Sequence, residues 1–344
     1  MIAFFIAFLL FCIYSTEYNS KNINYDCMSM DKTASIKGVF ILLVFFSHFN
    51  SYTHFNGGFD KIYVAFFNYI GQAMVTMFLF YSGFGIMESI KNKKNYIKTM
   101  PKKRMLNLLI QFDVAVLIFA IIKILCKEEI PLRRLLLSFV GWESLGNSNW
   151  YIFTILLLYI FTYVAFSISS RYSISTMVVT ALSCIYILFC VYTDIKPTYW
   201  YDTLICFPIG IFFSNYKAKI DSMIPKTIKN YFLLLTGMLL ILGFATLFNH
   251  GNFGLVLMRN IIFTLTVVLI TYRFSFNNKA LQWCGYHLFE LFILQRIPMI
   301  FCKNIGLIAW NKSIAFVICL LTTLVIAFYY RKIIPKLSAK MLKI

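Results

Sequence analysis

The sequence predicts an all-α fold, a polytopic integral membrane helix bundle of about 10–11 transmembrane helices, and three observations carry that reading. Of the 344 residues 60% are hydrophobic, 19% aromatic and only 13% charged, whereas a soluble domain has roughly 45–50% apolar and 25% charged residues. The apolar residues fall into separated runs, most of them close to the roughly 17–25 residues that one bilayer crossing needs. The formal charge of +19 is gathered in the short segments between those runs.

In order, the first run, Met1–Tyr14, is shorter than a crossing requires. It has neither the basic start nor the small-residue cleavage site of a signal peptide, so it reads as a retained segment, tilted or partly inserted. Ile36–Tyr52 is apolar apart from Lys37 and His48, and Ile62–Met87 carries Gly71 and the Ser82-Gly83-Phe84 triplet. Met105–Leu125 follows a basic loop, and Trp150–Ser169 opens on an aromatic pair of the kind that sits at a membrane interface. Ile174–Thr193, Trp200–Ser214, Tyr231–Phe248 and Leu255–Phe274 are further apolar runs. Cys284–Cys302 holds one carboxylate, Glu290, and Ser313–Tyr330 precedes a basic end. The chain 1–344 reads as one transmembrane domain, with 1–30 an extra hydrophobic segment and linker and 331–344 a basic cytoplasmic tail.

Lys and Arg resist translocation, so their positions set the orientation. The loop Glu88–Arg104 holds Lys91, Lys93, Lys94, Lys98, Lys102, Lys103 and Arg104 and belongs on the cytoplasmic side. Alternating from there puts Lys217, Lys219, Lys226, Lys229, Arg273, Lys279 and the tail lysines on the same side, which makes the net charge a topology signal and removes it as an argument for nucleic acid. The reading is a multi-pass protein of the cell membrane, the bacterial cytoplasmic membrane in particular. The nine cysteines form no CxxC pair and lie mostly within the runs, so no metal site and no disulfide framework is expected. There is no phosphate-binding glycine loop, HExxH or GxSxG.

An ionisable residue at membrane depth is by default a candidate for function. Lys37 and His48 share one span, roughly 16 Å apart along a helix of about 1.5 Å rise per residue, so Lys37 sits near the cytoplasmic surface and His48 beyond the midplane. Packing against a neighbouring helix is the competing role for His48. Ser82 and Gly83 read as a close helix contact rather than a nucleophile.

Lys37-Gly38 with Leu43-Val44 and His48 resembles the Arg/Lys-x10-His motif of the membrane-bound acyltransferase-3 family, which includes polysaccharide and peptidoglycan O-acetyltransferases. Gly71-x3-Val75-x2-Phe78-x3-Ser82-Gly83-Phe84, Asn149-Trp150-Tyr151-Ile152, Cys206-Phe207-Pro208-Ile209-Gly210 and Gly285-Tyr286-x3-Glu290-Leu291-x2-Leu294-Gln295-Arg296-x-Pro298 are similar to its later helices. The likeness runs from about residue 30 to 330. Lys37 stands where arginine is more usual, Asn107 replaces the second arginine of an Arg-x-x-Arg pair, and Gln295 replaces a frequent histidine.

The resemblance implies an integral membrane O-acyltransferase that moves an acyl group, acetyl by expectation, from cytoplasmic acetyl-CoA to a carbohydrate hydroxyl. No cofactor is bound tightly; acetyl-CoA enters as the donor substrate. The chemistry needs a base for the hydroxyl proton, and a positioned imidazole contributes typically 10²–10⁴-fold. His48 is that base, with Glu290 the carboxylate expected beside it. Cations at Lys37, Lys103 and Arg104 are expected to hold the CoA phosphates, and Trp150, Tyr151, His54 and Gln295 to meet the acceptor. The expected partners are membrane lipids, acetyl-CoA and a carbohydrate acceptor, with a homo-oligomer left open. The other classes weighed are a transporter or flippase of lipid-linked glycans, for which the chain lacks an internal repeat, and a polysaccharide polymerase, for which it lacks a large outward loop.

Overall fold

The computed structural model describes residues 1–344 except 21, 56, 250 and 344, and the described residues are helical almost throughout. Helix α1 (Ile2–Tyr14) and strand β1 (Thr16–Tyr18) precede α2 (Met30–Asn50), which carries Lys37 and His48. The run at Ile62–Met87 is divided. α3 (Gly58–Ile70) stops at Gly71, whose φ of 46° lies in the region that favours glycine, and α4 (Ala73–Asn92) resumes after it. α5 (Tyr96–Met100) passes through a π-helical turn, Pro101–Leu106, into α6 (Asn107–Leu125). A short α7 (Leu132–Phe139) lies between α6 and α8 (Trp150–Ile168), which is followed by α9 (Tyr172–Thr193).

After a 3-10 turn at Thr198–Trp200 come α10 (Cys206–Asn215), α11 (Lys217–Met223), α12 (Ile228–Leu247), α13 (Phe253–Thr271) and strand β2 (Phe274–Phe276). The expected span Cys284–Cys302 is not one helix. It becomes α14 (Lys279–Tyr286), α15 (Leu288–Leu294) and α16 (Arg296–Asn304), interrupted at His287 and Gln295. Pro298 has no N–H to give the carbonyl of Leu294, which weakens the ladder at the second break. α17 (Leu307–Trp310) and α18 (Lys312–Leu342) complete the chain. Among the described residues eight helices are long and apolar enough to cross a membrane, and two shorter apolar ones, Ile2–Tyr14 and Cys206–Asn215, accompany them. The protein is all-α and multi-pass.

The chain forms two compact units, the first of Met1–Phe40, Phe55–Lys94 and Ile168–Tyr286, the second of Ile41–His54, Asn95–Ser167 and His287–Ile344. In the first unit the helices meet backbone to backbone at glycines. A Cβ on Gly38 would lie 2.0 Å from the carbonyl oxygen of Leu281, and one on Gly285 would lie 1.8 Å from that of Ala34, so α2 and α14 cross at a reciprocal pair. α4 and α10 repeat the device: Gly83 meets the Phe207 carbonyl and Gly210 the Phe80 carbonyl, each at 2.1 Å from a built Cβ. Lipid tails are as apolar as leucine, so helix association in a membrane relies on such close approach rather than on hydrophobic burial.

α1 packs on α3 through Phe5, whose ring lies 4.8 Å from Phe66 and 5.3 Å from Phe67. β1 pairs antiparallel with β2, which ties the segment expected as a linker to the chain before α14. Arg273, counted by sequence among the inward topology charges, is only 1% exposed. Its guanidinium donates to the carbonyls of Ser20 at 3.1 Å and Lys226 at 2.6 Å.

The second unit packs Phe45, Phe46 and Phe49 of α2 around Phe316 of α18, with centroid distances of 5.5, 4.8 and 5.2 Å. A polar seam joins α6 to α18. Ser338 donates to Asn107 Oδ1 at 2.7 Å, Gln111 Nε2 to the same oxygen at 3.1 Å, and the Tyr330 hydroxyl to the Gln111 carbonyl.

The glycine crossings generate a stability test. Gly83→Ala and Gly210→Ala each force two helix backbones apart and are expected to cost about 1–3 kcal/mol, read as a lower thermal midpoint in detergent. Gly237→Ala on α12, where nothing lies within 4 Å, is expected to leave the midpoint unchanged or raise it.

Candidate active site

The second unit gathers the side chains that can do chemistry around His48. The last turn of α2 presents the imidazole. The broken segment α15–α16 supplies Phe292, Gln295 and Arg296, and the first turn of α8 supplies Trp150 and Tyr151. The ring of Phe292 lies between two of these groups, 6.0 Å from the His48 ring and 5.1 Å from that of Tyr151. Trp150 stacks edge-on to Tyr151 at 6.0 Å. The wall on this side of the imidazole is therefore aromatic.

Two polar groups act on the imidazole, the side-chain amide of Gln295 and the guanidinium of Arg296. Gln295 is 1% exposed, and its Nε2 donates to the Phe292 carbonyl at 3.2 Å. Arg296 lies over the ring of Tyr52 at 5.9 Å. His48 Nδ1, Gln295 Oε1 and Arg296 Nε are all buried and have no hydrogen-bond partner among the described residues. Nor does any acidic side chain pair with Arg296 there. Arg296 itself is half-buried, with Nε its enclosed nitrogen, and a charge taken part-way out of water without a counter-ion is unfavourable. Helix breaks at membrane depth are tolerated where protein encloses them, and here the break delivers the unpaired cation beside the histidine.

The other residues singled out by sequence fall as follows. Glu290 is on α15, 4% exposed, and faces Arg331, whose Nη1 lies 3.6 Å from its Oε2. No contact among the described residues joins it to His48. Trp150 and Tyr151 are buried, and His54 is exposed. Lys103 and Arg104 are exposed on the π-helical turn, where Arg104 Nε donates to the Tyr96 hydroxyl at 3.1 Å. Lys37 is half-buried in the first unit.

Two groups went unassigned by sequence reasoning. Arg296 was visible within a motif and had no role, and Asp113 on α6, with a buried and unpartnered carboxylate oxygen, had not been marked at all. The signal for both was present: each is an ionisable residue inside an apolar run.

A family model described as an acyltransferase domain, acyltransferase-3, matches residues 35–332. The chain belongs to the acyltransferase-3 family. No curated protein and no solved structure matches it. The matched residues take in His48, both helix breaks and parts of each compact unit. For an acyltransferase-3 protein, a half-buried imidazole beside an unpaired guanidinium is chemically apt, because acyl transfer needs both a proton acceptor and a positive group where negative charge develops.

The unpaired cation yields a prediction that separates stability from activity. Arg296→Met removes a half-buried charge that has no counter-ion among the described residues, so the thermal midpoint is expected to hold or rise. Acyl transfer is expected to fall by about 10²-fold or more, and a variant that loses its midpoint as well would mark Arg296 as a structural residue.

Proposed function

We propose that the protein is a membrane O-acetyltransferase that moves an acetyl group from cytoplasmic acetyl-CoA to a hydroxyl of a cell-surface or lipid-linked carbohydrate. The observation that carries the reading is the pairing of a half-buried imidazole, His48, whose Nδ1 is enclosed, with an uncompensated guanidinium, Arg296, in a chain of the acyltransferase-3 family.

In this reading His48 Nε2 takes the proton of the acceptor hydroxyl as its oxygen attacks the thioester carbonyl. Arg296 faces the oxyanion of the tetrahedral intermediate, where a preorganised donor in a water-poor site is worth the most. Collapse breaks the carbon–sulfur bond, the imidazolium returns the proton to the departing thiolate, and the products are the ester and CoA thiol. Lys103 and Arg104 take the nucleotide phosphates, for which arginine offers a bidentate match, while the flexible pantetheine arm carries the acetyl group inward. The aromatic side chains Trp150 and Tyr151 meet the acceptor sugar, with His54 exposed just beyond the end of α2. The distribution of lysine and arginine between the spans supports donor entry from the cytoplasm.

Two measurements on purified protein in liposomes with radiolabelled acetyl-CoA check this reading. His48→Ala is expected to lower transfer and thioester hydrolysis by about 10²–10⁴-fold with insertion and thermal midpoint intact; turnover at the wild-type level would sink the assignment. Arg104→Ala is expected to raise the KM for acetyl-CoA about tenfold, as loss of one charge-assisted phosphate contact does, and to leave the acceptor KM alone. An equal rise for both substrates would make Arg104 structural.

A further inference from the structure

We propose that Gln295, rather than a carboxylate, is the positioning residue that orients His48 and selects its reactive tautomer; this rests on the role given to His48 above. A catalytic imidazole needs one nitrogen held so that the other is free, and the usual holder is a carboxylate or a carbonyl. The carboxylate expected for that task, Glu290, is turned to Arg331. The Asp113 carboxylate has no contact with the imidazole among the described residues.

Gln295 fits instead. Its Nε2 is committed to the carbonyl of Phe292 at 3.2 Å, which sets the amide and leaves Oε1 as a free acceptor. That oxygen and His48 Nδ1 are both buried and both unpartnered among the described residues, and the two side chains share Phe292, whose ring lies 6.0 Å from the imidazole and whose carbonyl holds the Gln295 amide at 3.2 Å. One is an acceptor and the other, in the neutral ring, a donor. A bond from Nδ1–H to Oε1, unmade in the structure, would satisfy both atoms, since buried polar groups are rarely left unpaired. It also leaves Nε2 unprotonated and directed at substrate.

An amide has a further merit at this position. A charged group acting on the imidazole is Arg296, the residue after Gln295, and the rings of Phe292 and, through it, Tyr151 lie on the same side. A carboxylate at residue 295 would pair with the adjacent guanidinium and cancel the charge needed at the oxyanion. Gln295 orients the base without spending that charge. The break between α15 and α16 sets Gln295 and Arg296 on the junction itself, so both side chains are delivered from one point of the chain.

The test compares Gln295→Ala, Gln295→Glu, Glu290→Gln and His48→Ala in the full chain, reading kcat and KM for acetyl-CoA in liposomes. Gln295→Ala is expected to lower kcat about 10²-fold, the loss typical of a slightly misplaced catalytic group, with KM unchanged. Gln295→Glu, whose carboxylate would pair with the adjacent guanidinium, should not restore that kcat, and Glu290→Gln should retain the wild-type value. Gln295→Met, of similar volume, takes the place of the alanine variant if the latter does not fold. Wild-type kcat in Gln295→Ala beside an inactive His48→Ala overturns the positioning role and leaves the function standing, as does a loss in Glu290→Gln that Gln295→Ala lacks. An active His48→Ala instead overturns the function itself.

Discussion

Backbone contact between helices at reciprocal glycines is the constraint on which the first unit depends, and it governs the helix that bears the histidine. Where Gly38 meets the Leu281 carbonyl and Gly285 that of Ala34, no side chain larger than hydrogen fits without moving a backbone. The α4–α10 pair obeys the same rule at Gly83 and Gly210. In lipid there is little to gain by hiding one apolar surface against another, so the shape of the contact decides which helices pair. The Ser82-Gly83-Phe84 triplet and the Phe207–Gly210 segment, far apart in the chain, are two halves of one crossing. Lys37-Gly38 and Gly285-Tyr286 are likewise two halves of another, which the Tyr286 hydroxyl reinforces by donating to the Asp31 carboxylate.

The second unit is built on a different compromise. Its α6–α18 seam satisfies polar groups against one another through Asn107, Gln111, Ser338 and Tyr330. The segment around His48 leaves three polar atoms unsatisfied. Natural proteins tolerate local violations of polar satisfaction at functional sites, and the open groups here are an imidazole nitrogen, an amide oxygen and a guanidinium nitrogen.

Several basic residues turn out to have structural duties that charge counting hides. Arg273 ties three stretches of backbone together. Lys91 bridges Glu88 at 3.1 Å and the Ser214 carbonyl at 2.5 Å. Arg259 donates to Asn260, whose amide in turn holds the Asp202 carbonyl at 2.9 Å. Topology bias and specific bonding coexist in the same residues, because a lysine or arginine retained on one side of the membrane is free to bond whatever carbonyl lies there.

By itself the sequence determined the class and much of the element order: composition and the spacing of apolar runs require membrane helices, since only they satisfy the backbone within lipid. It also marked His48, because a lone ionisable residue in an apolar run is visible without any partner. The partners are another matter. Gln295 and Arg296 lie almost 250 positions away in sequence, and their approach to His48 follows from the interruption of a run that hydropathy reads as continuous. Glu290, chosen for being the single carboxylate of its run, faces Arg331 because the turn of α15 points it there. The break at Gly71 and the division of the chain into two units were equally invisible. Apolar periodicity reports how much of a helix is greasy; which residues meet is decided by where helices stop and how closely their backbones can pass, and those depend on contacts between distant parts of the chain.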